Sequence, residues 1–290
     1  MKRSLKYFLL LLVIVLIIIL GVRVINRGNK ANQEPKIIYK PETTVKILEG
    51  WNNREIGQYL AGLGPWPAQE FLTIVGSPQV DYRQAKGQTL PTDFSEQFSF
   101  LKDKPEYYGL EGYLFPDTYR VYATSTTREV VEKILANFDK KLTSTMRADI
   151  EKQGKTIYEI VTLASIIEKE APLNYAADDN REARIISGIF WNRLKIGQAL
   201  QSDATLSYIF GDNNPQHSGR ELENDSLYNT YKYRGLPPGP ICNPGLLAIE
   251  AAIYPLLTDY NYFLTPTDSR EVIFSKTYTE HLQNKYKYLK

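Results

Sequence analysis

The sequence predicts an α+β protein: a mixed helix-and-strand region outside the membrane, carried behind an N-terminal transmembrane helix. Three observations carry that expectation. Residues 7–22 hold no charge. Several later stretches place apolar residues at helical period directly behind helix-start signals. Short strand-like runs are scattered between them with no regular strand–helix–strand alternation, which speaks against a parallel α/β sheet.

The first element is the anchor. From Tyr7 to Val22 the chain reads YFLLLLVIVLIIILGV, and with Leu5 and Val24 at its edges it approaches ~20 residues. That is about 30 Å of helix, the thickness of a bilayer core. No small-x-small cleavage site follows in Gly21-Val22-Arg23-Val24-Ile25, and no cysteine follows that could be lipidated. An uncleaved anchor is therefore expected rather than a signal peptide. Lys2, Arg3 and Lys6 precede the run and Arg23, Arg27 and Lys30 follow it, so charge alone leaves its orientation open. Residues 1–25 read as a cytoplasmic tip with the anchor. Residues 26–46, polar and holding Pro35 and Pro41, read as a linker.

Those six basic residues have no acidic neighbour, which leaves 29 basic against 33 acidic residues beyond position 30, a net of −4. Such a surface is a poor partner for nucleic acid. One cysteine, Cys242, and two histidines, His217 and His281, give too few ligands for a zinc cluster and little basis for a nucleophilic triad. No metal or cofactor is expected.

A small α+β unit is expected over 47–120, with a short helix in NNREIGQYLAGLG presenting Ile56, Tyr59 and Leu60 on one side. A larger domain follows over 121–290. Thr126-x-x-Glu129 and Thr156-x-x-Glu159 have capping-box spacing and each leads into an apolar stripe. The second helix closes near Pro172. A third helix is expected from about 182 to 195, stopping at Gly197, and a fourth from Asn243-Pro244, a polar cap followed by proline. Residues 262–264 and 272–274 read as a hairpin, and a last helix starts near Thr277-x-x-Glu280.

Chemistry concentrates in Leu163-Ala-Ser-Ile-Ile-Glu168-Lys169-Glu170-Ala-Pro172. Two carboxylates in the last turn of an apolar helix meet the negative end of its dipole, which favours their protonated forms. A general acid near neutral pH needs that. Position alone leaves open a plainer reading, a solvated pair at a fraying helix end. Two glutamates at i and i+2 point about 200° apart, so they cannot flank one bond as a hydrolase pair. Two other stretches stand out. Leu200-Gln201-Ser202-Asp203 gathers amide, hydroxyl and carboxylate. Tyr228-Asn229-Thr230-Tyr231 leads into Gly235-Leu236-Pro237-Pro238-Gly239-Pro240, a stiff loop that either shapes packing or walls a groove.

At these residues the chain resembles the endolytic murein transglycosylases, the MltG or YceG-like family. EGYLFPDTY, ASIIEKE, FWNRLKIGQALQSDAT, YNTY and GLPPGPICNPG occur in one order over about 110–290. The resemblance implies a single-pass anchor in the plasma or inner membrane and a catalytic domain facing the cell wall. It implies cleavage of the MurNAc–GlcNAc β-1,4 bond within peptidoglycan strands, leaving 1,6-anhydro ends and terminating new strands beside peptidoglycan synthases. The family's catalytic glutamate is the second of the Glu-Lys-Glu triplet, which falls on Glu170, with Glu168 as the fallback. Gln201, Asp203, Tyr228 and Asn229 are the candidate groove contacts. The stretch before residue 47 is short for the LysM-like region usual in the family. The rival reading is a non-catalytic, membrane-anchored wall-binding or scaffold protein.

Overall fold

The structure is a computed structural model that describes residues 2–31, 41–212, 214, 217–266 and 271–289. The chain divides into two units, Met1–Lys40 and Pro41–Lys290. In the first, helix α1 spans Lys2–Ala31. Its section Lys6–Asn26 has a mean hydropathy of 3.3 and is long and apolar enough to cross a membrane. The helix continues past residue 25 into the stretch read as linker, where no proline stops it.

The second unit opens with strand β1, Glu42–Lys46, paired antiparallel with β2, Thr118–Tyr122. β1 also lies within the expected linker. Its sequence, ETTVK, is rich in β-branched residues, and Val45 faces Tyr119 with both side chains buried. This pairing ties residue 42 to residue 122, so the break expected near 120 falls inside one compact unit.

Helix α2, Asn53–Leu63, starts on a capping box made by Asn52 and Glu55, and α3 follows at Ala68–Val75. Then come α4, Thr127–Lys141, α5, Ser144–Lys152, and α6, Ile157–Glu170. The two threonine–glutamate boxes open α4 and α6 where their spacing predicts. The chain goes on through α7, Arg181–Lys195, α8, Asp203–Phe210, and α9, Leu246–Ile253. Strands β3, Tyr262–Leu264, and β4, Ile273–Ser275, form the expected hairpin, the first where expected and the second one residue later, and its turn lies partly outside the described residues. Helix α10, Tyr278–Tyr288, starts on the Thr277 cap.

The centre of the unit is α6. Every residue from Ile160 to Ile167 is buried, so this stretch of the helix has no wet face. α9 packs along it, and the fully buried Ala248, Ala251 and Ala252 let the two backbones approach. α9 does not begin on Asn243-Pro244 as expected; Gly245 occupies its N-cap. The Asn243 side chain is drawn inward instead. Its Oδ1 accepts from the backbone N–H of Gly112 (2.9 Å) and Leu114 (2.8 Å), and its Nδ2 donates to Trp51 O (2.9 Å) and Glu111 Oε1 (3.2 Å). Satisfying buried backbone groups outweighs the cap it could have made. At Gly112, with φ +90°, a Cβ would lie 2.6 Å from Pro240, so only glycine lets this turn close against the proline loop.

Glu111 is buried in that knot, accepting from Asn53 N at 2.9 Å, and burial pushes its carboxyl up to about 8 from 4.5. Between those values the unfolded chain has lost a proton that the folded chain keeps. The resulting stabilisation is complete below about pH 4.5 and lost as pH rises through about 8. We expect Glu111→Gln to lack this slope, which reaches about 1.4 kcal/mol per pH unit. Denaturant melts of both proteins across that range check it; parallel pH dependences would refute it.

Candidate active site

α6 delivers Glu170 as its last residue. Ala171 leaves the helix in an extended conformation (φ −94°, ψ 142°), which frees the end of the last turn. The two carboxylates of that turn face different partners, as their spacing requires. Glu170 Oε1 accepts from Ser202 Oγ at 2.5 Å and, at the long limit, from Ala204 N at 3.5 Å. Glu168 Oε2 accepts from Tyr175 Oη at 2.5 Å and from Gly245 N at 3.0 Å.

Both carboxyls titrate high. Burial raises that of Glu170 above its ordinary value; the bonds from Ser202 and Ala204 pull it back, neighbouring Asp203 adds to the rise, and Arg193 opposes it. Burial likewise lifts Glu168 to about 7, against the bonds from Tyr175 and Gly245. Glu170 is half-buried, so it is desolvated and still reachable.

The partner loop is held from two sides. Arg193, buried in the last turn of α7, donates through Nη1 to Leu200 O (2.5 Å) and through Nη2 to Asn261 O (2.6 Å). On the other side the Gln-Ser-Asp segment is clamped to Tyr-Asn-Thr-Tyr by a pair of buried threonines. Ser202 N donates to Thr230 Oγ1 (3.0 Å), Thr205 Oγ1 donates to Ser202 O (2.8 Å), and the two threonine hydroxyls lie 3.0 Å apart. Gln201, held by its N–H bond to Thr230 O (3.1 Å), takes a left-handed φ of 52°. That conformation costs roughly 1–3 kcal/mol in a non-glycine residue and persists where bonds on both sides over-determine it.

The expected site residues divide. Glu170 and Asp203 come together: Asp203 opens α8 and its Oδ1 accepts from Tyr231 Oη at 3.0 Å. Gln201 sits beside them with its side chain exposed. Tyr228 and Asn229 do not face the acid. Tyr228 is buried against Tyr208, ring centres 5.1 Å apart. Asn229 is fully buried, its Nδ2 donating to Leu222 O (3.0 Å) and Asn224 O (2.9 Å) while its Oδ1 accepts from Tyr231 N (3.0 Å). They shape the turn that presents Thr230 and Tyr231. Sequence reasoning passed over Ser202 inside the very triplet it singled out, and Tyr231 at the end of its motif. Arg193 gave no signal, because an arginine in a last helical turn reads as an ordinary dipole partner. The proline loop lies along α6, with Tyr158 Oη donating to Pro238 O (2.6 Å) and Ile241 N to Ser165 Oγ (2.9 Å), and runs on to Glu168 through Gly245.

An apolar helix long enough to cross a membrane, and an α+β unit whose central helix ends in a desolvated acid facing a serine hydroxyl, define the class of a candidate membrane-anchored protein with a buried acid at its site. Comparison with known proteins makes the class specific. The YceG-like family model matches residues 21–287, and the chain belongs to that family. It is 39% identical over 180 residues, 62% of its length, to a protein of Bacillus subtilis named endolytic murein transglycosylase, and covers 48% of that protein. It is 35% identical over 268 residues, 89% of its length, to one of the same name from Streptococcus pneumoniae, covering 46% of it. The chain thus spans about half the length of these curated relatives. A crystal structure of a YceG-like protein from Listeria monocytogenes superposes with a TM-score of 0.66 at 32% identity, covering 84% of this chain and 76% of that one.

The Ser202 bond favours the ionised form of Glu170, so Ser202→Ala should raise the Glu170 titration further. Carboxyl NMR across pH reads the shift; an unchanged or lowered midpoint would show that the hydroxyl does not govern the acid.

Proposed function

We propose that this protein is an endolytic lytic transglycosylase that cleaves the MurNAc–GlcNAc β-1,4 bond inside peptidoglycan strands, with Glu170 as its one acid and base. The observation that carries the reading is the desolvated Glu170 carboxyl, held by the neutral Ser202 hydroxyl while Glu168 is engaged elsewhere. The names of the relatives from Bacillus subtilis and Streptococcus pneumoniae support it.

The chemistry follows from one carboxyl carrying the proton, with Asp203 bonded to Tyr231 beside it. Protonated Glu170 donates to the glycosidic oxygen as the C1–O bond breaks and positive charge spreads over the ring oxygen. The resulting carboxylate then takes the proton of the same muramyl residue's C6 hydroxyl, whose oxygen bonds to C1. The proton balance closes, Glu170 ends as it began, and the product carries a 1,6-anhydro ring. The nucleophile is already tethered to the reacting carbon, so no second carboxylate has to position water. On this reading Asp203, Tyr231 and Gln201 line the approach to the acid. The apolar section Lys6–Asn26 holds the protein in the plasma or inner membrane with residues 41–290 on the wall side, where cutting new strands would end their elongation beside the synthases that make them.

Glu170→Gln is expected to lower turnover of uncrosslinked strands by roughly 10²–10⁴-fold or more, because the amide can neither give nor take the proton. Glu168→Gln should retain turnover. Activity of the wild type should fall as pH rises through the elevated Glu170 titration, since the first step needs the protonated acid. Mass analysis of the products decides the reaction type: reducing ends in place of anhydro ends would make the protein a hydrolase, and intact strands would remove the enzyme reading.

A further inference from the structure

A cavity of about 490 Å³ opens between the turn that ends α7 and the chain following Tyr231. Its lining includes Ile196, Gly197, Gln198, Tyr231, Lys232 and Arg234, and no acidic residue. The volume falls among those of small-ligand sites, roughly 300–1,000 Å³. Two cations on one opening stand out in a region with a net charge of −4 beyond residue 30. The Lys232 ammonium pairs with Asp225, a carboxylate 86% exposed and itself outside the lining. Arg234 is exposed and has no ion pair among the described residues. Ile196, 70% exposed, adds an apolar edge.

The cavity shares one lining residue, Tyr231, with the surroundings of the acid. Tyr231 lines it and also donates to Asp203, and Asp203 directly follows Ser202, the donor to Glu170. A ligand reaching Glu170 along this side would carry its next substituent past Tyr231 and toward the two cations. Tyrosine offers a sugar its flat face, and a guanidinium offers a carboxylate two parallel donors.

We propose that this cavity is a subsite for the carboxylate-bearing substituent of a muramyl residue next to the cleaved bond, with Arg234 as its anchor and Lys232 as a second cation. The proposal rests on the glycan reading of Glu170. A muramyl residue carries a lactyl ether on C3, and that ether ends either in a free carboxylate or in a peptide with carboxylates of its own. Both sources share the chemistry the cavity recognises. The contact is open to water, so it is screened by salt and contributes selectivity more than raw affinity.

The test measures binding to the full chain in detergent, in a Glu170→Gln background so that ligands survive, at low ionic strength. Three short glycan strands are compared: peptide-free with lactyl carboxylates, the same strand with those carboxylates converted to neutral amides, and peptide-bearing. We expect an anionic strand to bind about tenfold more tightly than the neutral one, and Arg234→Gln to bring that ratio close to one. The arm in which the ratio collapses identifies the source, lactyl carboxylate or peptide. Equal affinity for all three strands, or a ratio that survives Arg234→Gln, overturns the subsite. Cleavage by the protein with Glu170 intact is scored separately: charge-selective binding without cleavage would sink the catalytic reading and leave the subsite, and cleavage without charge selectivity would do the reverse.

Discussion

The desolvation of Glu170 follows from the helix that carries it. α6 is buried on all sides from Ile160 to Ile167, so its C-terminal turn emerges from the core rather than from the surface. A carboxyl there loses water before it gains partners, and what it gains is a hydroxyl and one long backbone bond. A cation in direct contact would reverse the balance and hold the group ionised. Arg193 is close enough to oppose the rise, yet the guanidinium nitrogens that bond are spent on the carbonyls of Leu200 and Asn261. Burial therefore wins, and the acid keeps its proton longer than a surface glutamate would.

Opposite that acid lie a loop and the first turn of α8, and a loop holds position only where its polar groups are satisfied. Two knots do this. The Thr205–Thr230 pair joins segments 25 residues apart in sequence and fixes Ser202 through its own backbone. The Glu111–Asn243 pair joins segments 132 residues apart and ties the turn at Gly112 to the entry of α9. Each knot is buried, so breaking one member strands the others without water, a cost of about 1–3 kcal/mol per orphaned group. The site's geometry is set by these contacts more than by the lengths of the helices around it.

This division explains what the sequence made legible. Helix starts at Thr126 and Thr156 were readable because a capping box is a local pattern, complete within four residues. The divergence of Glu168 and Glu170 was readable because helical rotation is local too. Asn243-Pro244 had the same local look of a cap and was not one, because its amide serves Gly112 and Leu114, more than 120 residues earlier in the chain. β1 was hidden for a related reason: a five-residue strand within a polar stretch declares itself only when its partner, 72 residues or more further on, is known. Ser202 and Tyr231 depend on long-range pairing of the same kind, with partners 32 and 28 residues away. Motif order locates such a site, and tertiary contact decides which atom in each motif faces the acid.

The two glutamates at the end of α6 show how one helix terminus takes on two jobs. Glu168 accepts from Tyr175 Oη and from the N–H that opens α9, and so fastens the proline-rich loop's exit to the central helix. Glu170, about 200° around the axis, faces the Ser202 loop. The rotation removes Glu168 as a partner of Glu170, and Asp203, the carboxylate beside the acid, accepts from Tyr231. The geometry then favours a substrate that brings its own hydroxyl to the reacting carbon. On the proposed reading the muramyl C6 oxygen fills that role, and with Glu168 turned away and Asp203 bonded to Tyr231 the arrangement suits ring closure better than hydrolysis.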